Sequence, residues 1–220
     1  MTGRHRRQPV GTGAPAVDRF RIRYVCTGNI CRSPMAERIT RRELQLRLGP
    51  DAERIQVDSA GTWGHEGAAM ESHAAAVLAE YGADIDDFRG RELLDEHVAE
   101  ADLVLTFTRD HRAQVISMGY AAGLRTFTLK EFHRLVAAID PASLPTGDVV
   151  ARARTLVRAA AALRGWLLAS SPEADEIDDP YGAPLTVFRD CGQEISTAVG
   201  SVLTVLTGTA RPVVDPRPVP

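Results

Sequence analysis

The chain is expected to fold as an α/β protein: an open, mostly parallel sheet with helices on both faces. Three observations point there. Strand-like and helix-like segments alternate through the middle of the chain. The run DLVLTFT (102–108) is apolar enough for burial on both faces, as in parallel sheets. Two stretches in the C-terminal half repeat apolar residues every three or four positions. Alternation of this kind builds crossover units whose helices cover both sides of a sheet.

Taken in order, RIRYVC (21–26) reads as the first strand. MAERITRRELQLRLG (35–49) follows as a helix, with Pro34 suited to its first turn and Gly49 to its stop. IQVDSAG (55–61) is a second strand, and AAMESHAAAVLAEYG (68–82) a helix ending at Gly82. DLVLTFT is the third strand, RDHRAQVISMG (109–119) a short helix, and LRTFTL (124–129) the fourth strand. A helix over 148–168 carries the stripe Val149, Ala153, Leu156, Ala160, Leu163 and Leu167, and its arginines 152, 154, 158 and 164 read as a solvated face. A last helix over 186–206 carries Phe188, Cys191, Ile195, Val199, Val202 and Leu206. Residues 1–18 are rich in Gly, Pro and Arg and read as a disordered arm. The stretch 209–220 reads as an extended Pro-rich tail. One domain over 19–208 lies between them.

Composition narrows the classes of function. A hydrophobic content of 44% allows a substantial core, and a net charge of -3 gives no reason to expect a nucleic-acid partner. Three cysteines, Cys26, Cys31 and Cys191, make a poor disulfide framework and argue for a reducing compartment. No apolar run of signal-peptide length follows the basic start, and none reaches the roughly 18 residues of a membrane span. A cytoplasmic protein with no membrane partner is the expectation.

The chemistry concentrates in CTGNICRS, residues 26–33, between the first strand and the helix after it. In an open α/β sheet ligands bind at the carboxyl ends of strands, where Cys26 sits. The five residues between Cys26 and Arg32 (Thr27, Gly28, Asn29, Ile30 and Cys31) can curl so that their amides converge on an anion. The helix opening near Ser33 adds its unpaired amides and positive dipole end. Gly28 allows the turn, Asn29 tolerates a left-handed conformation, and Arg32 offers a planar fork for two phosphate oxygens. The same field favours ionised sulfur, so Cys26 is the expected nucleophile, forming a phosphocysteine. Ser33 is placed to donate a hydrogen bond to the sulfur as it leaves.

A departing alkoxide or phenoxide needs a proton. The acidic stretch EADEIDDPYGAP (173–184) supplies the candidates Asp175, Glu176, Asp178 and Asp179. Asp179 stands out because Pro180 stiffens the chain after it and Tyr181 can form an aromatic wall beside a substrate.

VCTGNICRSPMAE, with VDSAGT (57–62) and DDPYG far downstream, resembles the low-molecular-weight protein tyrosine phosphatase family, in motif order over roughly residues 20–206. The resemblance implies a four-stranded parallel sheet and Cys26 as nucleophile. It implies Arg32 as phosphate binder and Asp179 as acid and later base. Asn29, Ser33 and Ser59 become the network that shapes the loop. No metal or other cofactor is implied. The implied partner is a tyrosine-phosphorylated protein, such as a bacterial tyrosine kinase. In relatives a cysteine at the place of Cys31 can trap an oxidised nucleophile as a disulfide. The chain departs from the family in TWGHEGAAM (62–70), where Trp63 and His65 are differently placed, and at Gly182, where many members carry a second aromatic. Trp63 reads either as a substrate wall or as a core cover, and His65 as a loop residue.

Three other functions are weighed. Arsenate reductases share the loop but need relay cysteines, and 100–130 contains none. Protein arginine phosphatases form a branch of the same family whose loop tends to carry threonine where this chain has Ile30, a residue that favours an aromatic substrate. A silent phosphate-binding protein would need neither thiol nor acid.

Overall fold

The computed structural model of the chain describes residues 18–209. The arm and tail expected from the sequence fall outside them, apart from Asp18 and Thr209 at the ends. Among the described residues, four strands form one sheet in the order β2-β1-β3-β4: β1 (Phe20–Cys26), β2 (Ile55–Gly61), β3 (Leu103–Thr106) and β4 (Thr126–Thr128). Every neighbouring pair is parallel. The chain order reverses between β1 and β3, so a crevice opens at their carboxyl ends. Register places Cys26 opposite Gly61 there.

Alternation along β1 sends Phe20, Ile22, Tyr24 and Cys26 into the larger of two cores and Val25 into the smaller. The larger core is closed by α1 (Arg32–Leu48), α2 (Ser72–Glu80), α5 (Leu129–Val136), α6 (Val149–Leu163) and α7 (Leu185–Thr207). The smaller is closed by α3 (Asp95–Glu100) and α4 (Arg109–Met118), through Val98 and Val115 against Val25, Ala60 and Val104. Helices therefore cover both faces, as expected, but unevenly. The α7 stripe from Phe188 to Leu206 is wholly buried, as its periodicity requires. No helix among the described residues is long and apolar enough to cross a membrane.

Several expectations are corrected. The helix expected over 148–168 ends at Leu163, five residues early, and Leu167 is exposed. Arg164 and Gly165, at φ 92°, turn the chain away. Two of the arginines expected to be solvated are not. Arg152 is buried and donates to the carbonyls of Pro141, Leu144 and Pro145 in the segment before α6, and to that of Val205 in the last turn of α7. Arg164 lies 4.0 Å over the Phe127 ring, bonded to Glu131 and to the carbonyls of Gly123 and Thr126. Helix α2 starts at Ser72, not 68, because the Glu71 carboxylate accepts from the amides of His73 and Ala74 and fixes the N-terminus. Helices α3 and α5 were not anticipated.

Candidate active site

The loop after β1 is held by its carbonyls. Cys26, Thr27, Gly28 and Ile30 each present a carbonyl oxygen to an amide of the neighbouring segment: Thr62 at 2.9 Å, Trp63 at 3.0 Å, His65 at 3.0 Å and Glu71 at 2.9 Å. Among the described turn and loop bonds, none is donated by the amides of residues 27–31. The loop thus turns its acceptors toward residues 62–71 and leaves its donors for an anion. This approach requires a glycine at 61, since a Cβ there would stand 2.3 Å from the Thr27 carbonyl oxygen.

Inside the loop a chain of hydrogen bonds has a determined direction. Asn29, at φ 54°, accepts the Arg91 amide on Oδ1 (2.9 Å), which orients its carboxamide. Its Nδ2 donates to Ser33 Oγ (2.9 Å) and Ser59 Oγ (2.8 Å). Ser59 in turn donates to Glu37 Oε2 (2.6 Å). That carboxylate is buried, and Arg41 Nη2 at 3.0 Å and Arg38 Nε at 3.6 Å compensate its charge. The Ser33 hydroxyl accepts from Asn29, so its own proton is free for Cys26 Sγ, 2.9 Å away.

Arg32 opens α1 and is buried. Its Nη2 meets Asp179 Oδ2 at 2.5 Å, its Nη1 donates to the Ile177 carbonyl at 3.1 Å, and it lies 5.9 Å from the centre of the Phe107 ring. The Ile177 amide donates to the Phe107 carbonyl just beyond β3, which pins the acidic stretch to the sheet. The other carboxylates of that stretch go elsewhere. Asp175 chelates Arg134, Glu176 accepts the Arg109 amide, and Asp178 is exposed.

A pocket of about 460 Å³ gathers Cys26, Arg32 and Asp179 with Ile30, Trp63 and Tyr181. Trp63 is 75% exposed and Tyr181 66% exposed, so Trp63 does not cover the core. His65 also lines the pocket, and its amide is one of those tying the loop down. The other two cysteines are poor nucleophiles by environment. Burial, reinforced by the Asp179 and Cys26 charges, pushes the Cys31 thiol far up, and burial raises Cys191 to about 12. All three are free and buried.

Sequence reasoning missed three supports. Glu37 ends the Asn29–Ser59 chain, and its place one helical turn beyond Ser33 on α1 was a usable signal. Gly61 lay within the quoted strand, but the contact that demands it is tertiary. His111 on α4 holds Thr27 Oγ1 at 2.9 Å. Burial, then the Arg32 charge, pushes its imidazole down to about 4, so it is neutral at pH 7. Its position just after a strand's carboxyl end was the available clue.

Comparison with known proteins accords with this arrangement. A family model described as low molecular weight phosphotyrosine protein phosphatase matches residues 21–144. A protein-arginine-phosphatase of Geobacillus stearothermophilus is 31% identical over 180 residues, 82% of this chain and 91% of that protein. Low molecular weight protein-tyrosine phosphatase A of Mycobacterium tuberculosis is 35% identical over 128 residues, 56% of this chain and 77% of that protein. Among solved structures, the low molecular weight protein tyrosine phosphatase from T. tengcongensis superposes with a TM-score of 0.60 at 29% identity, covering 84% of this chain and 97% of that one.

Proposed function

Because the chain belongs to the low molecular weight phosphotyrosine protein phosphatase family, we propose that it hydrolyses phosphotyrosine in proteins through a phosphocysteine on Cys26. The observation that carries this reading is one pocket containing a nucleophile, a phosphate fork and an acid: Cys26, Arg32 and Asp179. Arg32 Nε adds support, being buried without a hydrogen-bond partner among the described residues, the condition a phosphate oxygen would relieve.

In the first step the Cys26 sulfur attacks phosphorus while the bond to the phenolic oxygen breaks. Asp179 gives that oxygen its proton. Arg32 and the amides of residues 27–31 hold the non-bridging oxygens, where charge gathers in the transition state. In the second step a water oxygen attacks phosphorus and its proton passes to the Asp179 carboxylate. The phosphorus–sulfur bond breaks, inorganic phosphate leaves, and the Ser33 hydroxyl steadies the returning sulfur anion. Trp63 and Tyr181 are the walls for the substrate ring, and Ile30 of the loop lines the pocket with them. No metal or organic cofactor takes part in these steps. The substrate is a tyrosine-phosphorylated protein, such as a bacterial tyrosine kinase, in the cytoplasm, where a reducing medium keeps the nucleophilic thiol available.

A second reading has its own support. The relative whose similarity spans 91% of its own length is named for phosphoarginine, not phosphotyrosine. Against it stands Ile30, whose apolar side chain in the pocket suits a phenyl ring better than a guanidinium. Phosphotyrosine, phosphoserine and phosphoarginine peptides at matched concentration separate the two. The expected result is release of phosphate from phosphotyrosine at least tenfold faster than from the others. A preference for phosphoarginine replaces the substrate but keeps the chemistry. Equal inactivity of the wild type and Cys26→Ser on all three refutes both.

A further inference from the structure

Three residues with guanidinium or carboxyl side chains line the pocket: Arg32, Asp179 and Glu92. The first two are paired with each other. The Glu92 carboxylate has no hydrogen bond or ion pair among the described residues; only its backbone amide is engaged, donating to Glu66 Oε2 at 3.1 Å. Glu92 is half-buried, whereas Cys26 and Arg32 at the pocket floor are each 3% exposed. It therefore stands toward the mouth.

The backbone around Glu92 is well fixed. The Gly61 amide donates to the Arg91 carbonyl (2.9 Å) and the Leu93 amide to the Gly61 carbonyl (2.8 Å), making Gly61 and Glu92 partners in a parallel bridge at the end of β2. Gly64 approaches so closely that a Cβ would lie 2.1 Å from the Arg91 carbonyl oxygen. Neighbouring side chains leave in other directions, Leu93 into the smaller core and Arg91 toward a separate cleft beside Asp84 and Asp86. The fold therefore holds one uncompensated carboxylate on the wall that carries Trp63.

We propose that Glu92 is a specificity-determining residue, selecting protein substrates that carry a lysine or arginine next to the phosphotyrosine. This rests on the phosphotyrosine reading above. With the phosphate on the loop amides and Arg32, and the ring between Trp63 and Tyr181, the flanking residues of a substrate emerge at the mouth. A basic side chain there finds the carboxylate that the protein itself leaves unpaired. An acidic one meets a like charge, and such repulsion discriminates as effectively as attraction.

The test uses matched phosphotyrosine peptides with lysine or glutamate on both sides of the phosphotyrosine, hydrolysed by the full chain and by Glu92→Gln and Glu92→Lys. The readout is the ratio of kcat/KM for the lysine peptide to that for the glutamate peptide. The expected ratio is about five to ten for the wild type at low salt, below two for Glu92→Gln, and inverted for Glu92→Lys. A wild-type ratio near one, or a ratio that survives in Glu92→Gln, overturns the proposal while leaving the phosphotyrosine reading intact. Turnover of neither peptide above the Cys26→Ser background overturns both.

Discussion

The loop proposed to hold the phosphate and the loop carrying the proposed acid, Asp179, face each other across one pocket, yet they are built in opposite ways. Residues 26–33 are mostly buried, with Thr27 exposed; four of their carbonyls are tied to residues 62–71, and Asn29 and Ser33 are locked into the chain through Ser59 to Glu37. Residues 178–182 are mostly exposed. They depend on the Ile177 anchor, the buried ring of Pro180 and the pair between half-exposed Asp179 and buried Arg32. The difference teaches where stability and chemistry coincide. Damage to the first loop is expected to cost both, and damage to the second only chemistry.

The largest effect sharpens the chemical side alone. Cys26→Ser is expected to lower kcat by roughly 10⁴-fold or more while phosphate still binds, as measured by p-nitrophenyl phosphate hydrolysis and phosphate titration. Retained turnover would remove the thiol from the mechanism. Next, Asp179→Asn is expected to slow kcat by roughly 10²- to 10⁴-fold, most for poor leaving groups. Its melting temperature should stay within about 2 °C of the wild type, because Asp179 is half-exposed and an asparagine oxygen there can still accept from Arg32. If Asp178→Asn proved the more damaging change, the acid would be misassigned.

Asn29→Ala tests the other loop. It strips the donor from two buried serines and puts alanine in a left-handed conformation. A loss of about 2–4 kcal/mol is expected, seen as a melting temperature lower by roughly 5–15 °C, with a fall in kcat of about tenfold to a hundredfold. An unchanged melting temperature would erase the contrast between the loops.

The smallest effect concerns His111. Its folded value near 4 lies below the ordinary 6.5, so between these values the unfolded chain binds more protons. Stability should rise with pH through that window, and as pH falls from about 6.5 to 4 up to about 3 kcal/mol should be lost. His111→Asn should flatten the slope in denaturant melts across pH 4–7. A slope unaltered by that substitution would assign the dependence to other groups.

Much of this was legible because local pattern and tertiary environment agree. The strand over 55–61 was legible to the residue, since Ile55 and Val57 alternate with half-buried Gln56 and Asp58 as their burial does. The α7 stripe was legible for the same reason, and the loop 26–33 could be read because its residue types have few other uses together. Elsewhere the two levels part. Arg152 and Arg164 look like surface charges, but they satisfy carbonyls at element ends, and nothing in a periodicity announces an unpaired carbonyl. Helix α5 did carry a local signal, since Thr128 and Glu131 form a reciprocal cap at its start, but its eight residues were too few for the stripe to stand out. Whether Trp63 faced core or substrate could not be decided from spacing, because residues 62–71 take their course from the loop they clamp.

That clamp has a consequence for energetics. Since neighbouring chain already aligns the peptide dipoles of residues 26–30, the cradle is in place ahead of any ligand. An arriving phosphate has little backbone ordering to drive, so its contacts can go almost undiminished into affinity and transition-state stabilisation.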